Sequence, residues 1–266
     1  MKTLIQKTKY LLKYILWVLS GYIGRELSSV FPQKVTVLIT YYSEVRMKNI
    51  NYQIRNILKC TFVDRIIVSN HNPDIRINDK VDVENKNLIL INQNVRRACG
   101  YRWNVAKTID SEYLIAIDDD ILLFPSQLKV LFEQLILKPD VPHGFSGMIH
   151  LKNGEFEYRE REDTDVHYLC EVYAVTKYHI RQYFEMESLL EKQDQTLPDA
   201  VERLGDYIVI SQTGIRNPKI HKTTRIFRSE TFKLIGVSNH KERDFASVLE
   251  RVSKSVEKIR YPLPIE

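Results

Sequence analysis

An α/β fold, a doubly wound and mostly parallel sheet with flanking helices, is the architecture this sequence predicts, and three observations predict it. Beyond Pro32, short apolar runs alternate with amphipathic stretches, the order that sets crossover helices between parallel strands. The run VTVLIT is apolar enough to be a strand covered on both faces. With 266 residues, 44% hydrophobic and 27% charged, the chain is long enough for one large domain and close to the soluble globular average. That composition argues against a disordered, collagenous or polytopic membrane chain, and no repeat of ~20–50 residues suggests a solenoid.

Residues 1–33 form a segment of their own, and 34–266 a single domain. Six of the 39 basic residues but one of the 34 acidic ones, Glu26, lie in residues 1–34, so these 34 residues carry the whole net charge of +5. The balanced remainder shows no basic patch of the kind that binds nucleic acid. From Tyr10 to Ile23 the chain reads YLLKYILWVLSGYI, yet only Tyr14 to Gly24 is free of charge, short of the ~20 apolar residues of a spanning helix. At about 100° per residue, Lys2, Lys9, Lys13 and Ser20 fall in one strip, and Leu4, Leu11, Leu12, Ile15, Leu16, Trp17, Leu19 and Ile23 cover most of the rest. Such a helix suits peripheral contact with an anionic cytoplasmic leaflet through residues 1–30, which places the protein in the cytoplasm at a membrane face. Docking on the protein's own body or a partner, and a cleaved signal peptide, are the competing readings; no A-x-A site follows the apolar run.

In the body, Val35–Thr40 reads as a strand and Met47–Leu58 as a helix with Ile50, Ile54, Ile57 and Leu58 on one face. Asp64–Asn70 and Leu88–Asn92 follow as strands, then a helix from Ala98 to Ile109 and the strand Tyr113–Ile117. Pro125-Ser126 opens a further helix, GFSGMIHL re-enters the sheet, and NGEFEYREREDTD is an exposed loop or hairpin. HYLCEVYAV is strand-like, Lys177–Glu187 helical, another helix ends near Arg203, and Asp206–Ser211 is a short apolar run. Lys241–Arg260 closes the chain as an amphipathic helix. Cys60, Cys99 and Cys170 are odd in number and widely spaced, which fits neither a disulfide framework nor a zinc site.

The most informative feature is IAI-DDD, three carboxylates directly after an apolar strand. Ligands of open parallel sheets bind at the carboxyl ends of the strands, so Asp118, Asp119 and Asp120 are expected in that crevice. Adjacent carboxylates repel, and a hard cation, Mn2+ or Mg2+, relieves the repulsion while holding two phosphates. The alternative is a solvated acidic turn.

The first strand VTVLITYY, a second strand ending in Asn70, the helix start Gly100-Tyr-Arg-Trp-Asn104 and a strand running into DDD resemble nucleotide-sugar glycosyltransferases of the GT-A fold, of both the family 2 and exostosin types. The resemblance spans roughly Lys34 to Arg228. It implies a GT-A domain, a UDP- or GDP-sugar donor, a glycan or lipid-linked acceptor, and a divalent metal on a DxD motif. Carried onto this sequence, Asp118 would lie toward the ribose or donor sugar and, with Asp120, would meet the metal, and Asp119 would meet the donor. Thr40, Tyr42 and Asn70 would lie near base and ribose, and Arg97, Arg102 and Asn104 near ribose or phosphate.

Asp206 would be the catalytic carboxylate, as base or as a group that orients the acceptor. Gly205 stands where similar enzymes carry a first acid. His221 would complete the metal site, with Lys222, Arg225 and Arg228 on the leaving diphosphate. The loop 153–165 and the tyrosines after it are the expected acceptor side. Two other readings compete: a nucleotidyltransferase, disfavoured because YYSEVRMKN after the first strand is no Gly-rich phosphate loop, and a non-catalytic binding scaffold.

Overall fold

The computed structural model describes residues 2–151, 155–224, 226–233 and 243–260. Helix α1 (Lys2–Tyr22) leads into β1 (Val35–Tyr41), then α2 (Glu44–Met47), α3 (Ile50–Leu58), β2 (Val63–Asn70) and β3 (Leu88–Asn92). A 3-10 turn at Cys99–Tyr101 precedes α4 (Arg102–Lys107), followed by β4 (Tyr113–Asp118), β5 (Ile121–Leu122) and α5 (Pro125–Leu137). Strands β6 (His143–Gly144), β7 (Ser146–His150), β8 (Phe156–Glu160), β9 (Thr164–Asp165), β10 (Tyr168–Cys170) and β11 (Val172–Thr176) come next. Helix α6 (Lys177–Gln193), α7 (Leu197–Ala200), a π-helical turn at Val201–Gly205 and α8 (Asp206–Ser211) precede β12 (Lys219–Ile220), β13 (Phe227–Arg228) and α9 (Phe245–Arg260).

The central sheet has the order β3-β2-β1-β4-β11-β6-β12-β9. Its first four strands run parallel, and β11 joins antiparallel to β4. Every residue of β1 is buried, as a strand flanked on both sides and covered on both faces requires. Alternation along β1 divides the core: Val35, Val37 and Ile39 pack with α3 and α5, whereas Leu38 packs with α4, α6, α8 and α9. Stacking of Phe62 on Phe132, 4.9 Å between ring centres, anchors α5 on the first side.

Three expectations change, the first being that HYLCEVYAV is split at Glu171 into β10 and β11 of two different sheets. GFSGMIHL does not continue as one strand: β6 stays in the central sheet, and β7 joins a separate antiparallel sheet, β10-β7-β8. Close packing explains the switch, because a side chain at Gly144 would lie 2.9 Å from Leu169 of β10, where the two sheets meet. The helix expected over Met47–Leu58 is broken into α2 and α3 at Lys48-Asn49, which turns Arg46 toward the ends of the strands. The segment around Lys241 lies outside the described residues, and the described tail helix starts at Phe245.

Candidate active site

Thr40 and Asp118 are register partners at the carboxyl ends of β1 and β4, with Asn70 beside Tyr41 at the end of β2. These strand ends form one wall of a cleft of about 840 Å³. Asp118 is the last residue of β4, and its side chain is the most open of the three acids at 27% exposure. Asp119 and Asp120 are buried, and one arginine answers both. Arg46 Nη1 donates to Asp119 Oδ1, and Nη2 lies 2.8 Å from Asp120 Oδ2. Burial still pushes both carboxyls above the ordinary range, more than Arg46 offsets, and Asp119 adds its repulsion at Asp120. The Ser229 N–H donates to the Asp120 carbonyl at 2.8 Å, which ties β13 to this turn.

The opposite wall is assembled from distant segments around Arg102. This guanidinium is buried at the start of α4, donates through Nη1 to Asp118 Oδ1 and through Nε to the Cys99 carbonyl at 2.9 Å, and lies 3.3 Å from Asp206 Oδ2. Trp103 Nε1 donates to the same Asp206 oxygen at 3.0 Å. Burial raises the Asp206 carboxyl despite Arg102. Its other oxygen, Oδ1, faces the Cys99 thiol at 3.6 Å, a weak donor. Gly100 makes this approach possible: a Cβ there would lie 2.8 Å from Asp206 Cβ and from the Glu202 backbone.

Glu171 stands between β10 and β11, on the cleft. Its carbonyl accepts the Asp118 N–H at 3.0 Å, and its carboxylate accepts from Arg228 Nη2 at 2.7 Å and Ser146 Oγ at 2.8 Å. Its φ of 70° is a left-handed conformation that costs a residue with a side chain roughly 1–3 kcal/mol.

Of the residues expected from sequence, Thr40, Tyr42, Arg97, Arg102, Asp118, Asp119, Asp120 and Asp206 line this one cleft. Three do not. Asn70 is buried, and its amide donates to the Asn72 carbonyl at 2.9 Å and to Asn92 Oδ1 at 3.3 Å, so it pins the loop after β2. Asn104 lies on α4, half-buried, away from the lining. His221 is not brought to the acids: its Nε2 lies 2.8 Å from His143 Nδ1, the two rings stack at 5.0 Å, and burial lowers each to about 4. Arg228 sits behind Glu171 rather than on the lining, Lys222 is exposed with its N–H on Asp163, and Arg225 and the start of the 153–165 loop lie outside the described residues.

Arg46, Glu171 and His71 line the cleft without having been singled out by the sequence, and Tyr158 and Tyr173, from the segment expected on the acceptor side, line it too. His71 is buried and lowered to about 4 by that burial, with Nδ1 on the Ala98 carbonyl at 2.9 Å. The local signal for Arg46 was its place just after the first strand; Glu171 carried none.

A family model described as the glycosyl transferase family 64 domain matches residues 35–245, most of the chain and all of this cleft. The chain belongs to glycosyl transferase family 64. It is a glycosyltransferase, and the nucleotidyltransferase and scaffold readings give way to that assignment. Among solved structures, this family 64 chain is similar to GalNAc-T7, crystallised with UDP, GalNAc and Mn2+: 10% identity, 86% of this chain and 50% of that one covered, TM-score 0.52. That likeness supports the GT-A fold. It is also similar to CMP:2-keto-3-deoxy-manno-octonic acid synthetase complexed with CTP, at 10% identity over 73% of this chain and 91% of that one, with a TM-score of 0.48. No curated protein matches the chain.

Proposed function

We propose that the cleft binds a nucleoside diphosphate sugar together with a divalent cation, and transfers the sugar to a hydroxyl of a glycan or lipid-linked acceptor. The observation that carries this reading is the placement of Asp118, Asp119 and Asp120 at the carboxyl ends of parallel strands, in the same cleft as Arg97 and Arg102.

The donor set fits a hard cation. Asp118 and Asp120 offer carboxylate oxygens, and burial together with mutual repulsion leaves the turn short of positive charge even with Arg46 in place. Among the described residues no group of three or more His, Cys, Asp or Glu forms a metal cage. Two carboxylates completed by substrate phosphates are the usual way in which Mg2+ is held. Asp118 and Asp120 would hold Mn2+ or Mg2+, which when bound offsets the charge of the departing diphosphate.

The remaining roles fall to this chain's side chains. Arg97, stacked over Tyr101 at 4.4 Å, faces the cleft as a phosphate partner, and Tyr42, with Arg96 at 5.8 Å from its ring centre, offers a flat surface for the base. Thr40 supplies a hydroxyl at the ribose. Asp206 Oδ2 is held by Trp103 and Arg102, and Oδ1, on which the Cys99 thiol is only a weak donor, has a lone pair left to accept the hydrogen bond of the incoming hydroxyl. A carboxylate whose pKa is raised by burial is the stronger base for that proton. The acceptor oxygen then bonds to the anomeric carbon as the sugar–phosphate bond breaks and the diphosphate leaves with the electron pair.

Calorimetry with UDP and GDP, each with Mn2+ or with chelator, tests the donor half; UDP comes first because the GalNAc-T7 crystals contained it. Binding of one nucleotide is expected to require the metal and to weaken at least tenfold in Asp118→Asn. Equal affinity with chelator and in the variant would overturn the assignment.

A further inference from the structure

Helix α1 has two unlike faces. One is docked: Trp17 is fully buried, its indole N–H donates to the Leu123 carbonyl at 3.0 Å, and Asn56 Nδ2 donates to the Trp17 carbonyl at 3.0 Å. Tyr14 donates to Asn49 Oδ1 at 3.0 Å, and Tyr10 packs on Phe227 at 4.9 Å. The opposite face carries Leu11, Leu12, Ile15, Leu16, Leu19 and Ile23, each between 41 and 64% exposed. At 100° per residue these six span an arc of about 140°, too wide and too continuous to be scattered surface leucines. Lys9 borders the arc on one side and Lys7 lies beyond it on the other, both exposed, and exposed Arg25 follows the helix.

We infer that this face of α1 is a docking surface for an anionic lipid bilayer, on which the protein lies with the helix in the plane of the interface. The charge selects the occupant. An apolar arc bordered by lysines matches an acyl layer beneath anionic headgroups, the arrangement of interfacial helices. Insertion across the bilayer is not required: among the described residues no helix is long and apolar enough to span, and the docked face of α1 keeps its bonds to the body. The attachment also orients the enzyme. Trp17 packs on Leu122 of β5 and Phe227 of β13, the strand pair that continues from Asp120 and leads into Arg228, so the cleft lies one strand from the lipid-facing helix.

The full-length chain should be sedimented with vesicles of phosphatidylcholine alone and of phosphatidylcholine mixed with phosphatidylglycerol. Binding to the anionic vesicles is expected to exceed binding to the neutral ones at least tenfold, since each basic residue at the surface contributes roughly fivefold. Leu12→Glu with Leu16→Glu should abolish binding to both, with circular dichroism and thermal midpoint unchanged because these side chains touch little of the body. Lys7→Glu with Lys9→Glu should remove the preference for anionic lipid. Wild-type protein that stays in the supernatant with both vesicles would overturn the proposal, as would leucine variants that bind like wild type. A dimer in sedimentation velocity that the leucine pair splits, without vesicle binding, would assign the face to a second copy instead.

Discussion

The two walls of the cleft are built in opposite ways. On the strand-end wall, Asp118, Asp119 and Asp120 are consecutive, and parallel pairing alone sets them beside Thr40. On the far wall, Arg102 and Asp206 come from segments far apart in sequence and meet only because α4 and α8 converge, while Glu171, on the β10–β11 link, enters the cleft from beside Asp118. The first wall is a property of local sequence on a known sheet. The second is a property of packing, with one buried arginine joining the two walls.

The largest effect that can break this comparison is therefore expected at Arg102. Its removal in Arg102→Ala strands Asp118 and Asp206, and loss of one partner of a buried pair costs about 3–5 kcal/mol. Urea denaturation should show that loss, with transferase activity abolished; a stability within about 0.5 kcal/mol of wild type would mean that the walls stand independently.

Packing of the far wall is tested next at Gly100. A methyl group in Gly100→Ala would press on Asp206 and the Glu202 backbone, which predicts a cost of about 1–3 kcal/mol. An unchanged urea midpoint would show that α4 and α8 have room to separate.

Glu171→Gln sharpens the division of labour. The amide oxygen keeps Ser146 and Arg228 Nη2 but the amide nitrogen faces Arg228 Nε, so stability should fall by about 1–3 kcal/mol, and activity should fall at least tenfold while nucleotide affinity stays within about twofold. A parallel loss of nucleotide affinity would move Glu171 to the donor side.

The smallest effect belongs to His143 and His221, which serve neither wall. Burial holds each at about 4, against about 6.5 in the unfolded chain. Both are neutral in the fold, so their contribution is whole above about pH 6.5 and is lost as pH falls toward 4. Wild-type stability should decline more steeply than that of His221→Gln, by about 1 kcal/mol per pH unit between pH 6 and 5. Parallel curves would contradict the burial of a neutral pair.

The same contrast explains what was legible in the sequence. Uninterrupted apolar runs disclosed β1 and β4, and the acids behind β4 disclosed the strand-end wall, because both follow from alternation and chain order. Arg102 and Asp206 were named from a family resemblance, but their bond to each other is tertiary. Glu171 stayed hidden because nothing around it in CEVYAV marks a left-handed acid, and His221 misled because its partner, His143, is 78 residues away. Helix α1 was half legible: its apolar residues were plain, but not the division between the face that docks Trp17 and the face that stays open.

We propose that one cleft holds the donor at the strand ends and activates the acceptor from the far wall. The most direct test is release of the nucleoside diphosphate from UDP- and GDP-sugars by wild type and Asp206→Asn, with Mn2+ and with chelator. Release by wild type is expected to require the metal and to be at least a hundredfold slower in Asp206→Asn, with nucleotide affinity retained. Release that persists in chelator, or at an undiminished rate in Asp206→Asn, would contradict it.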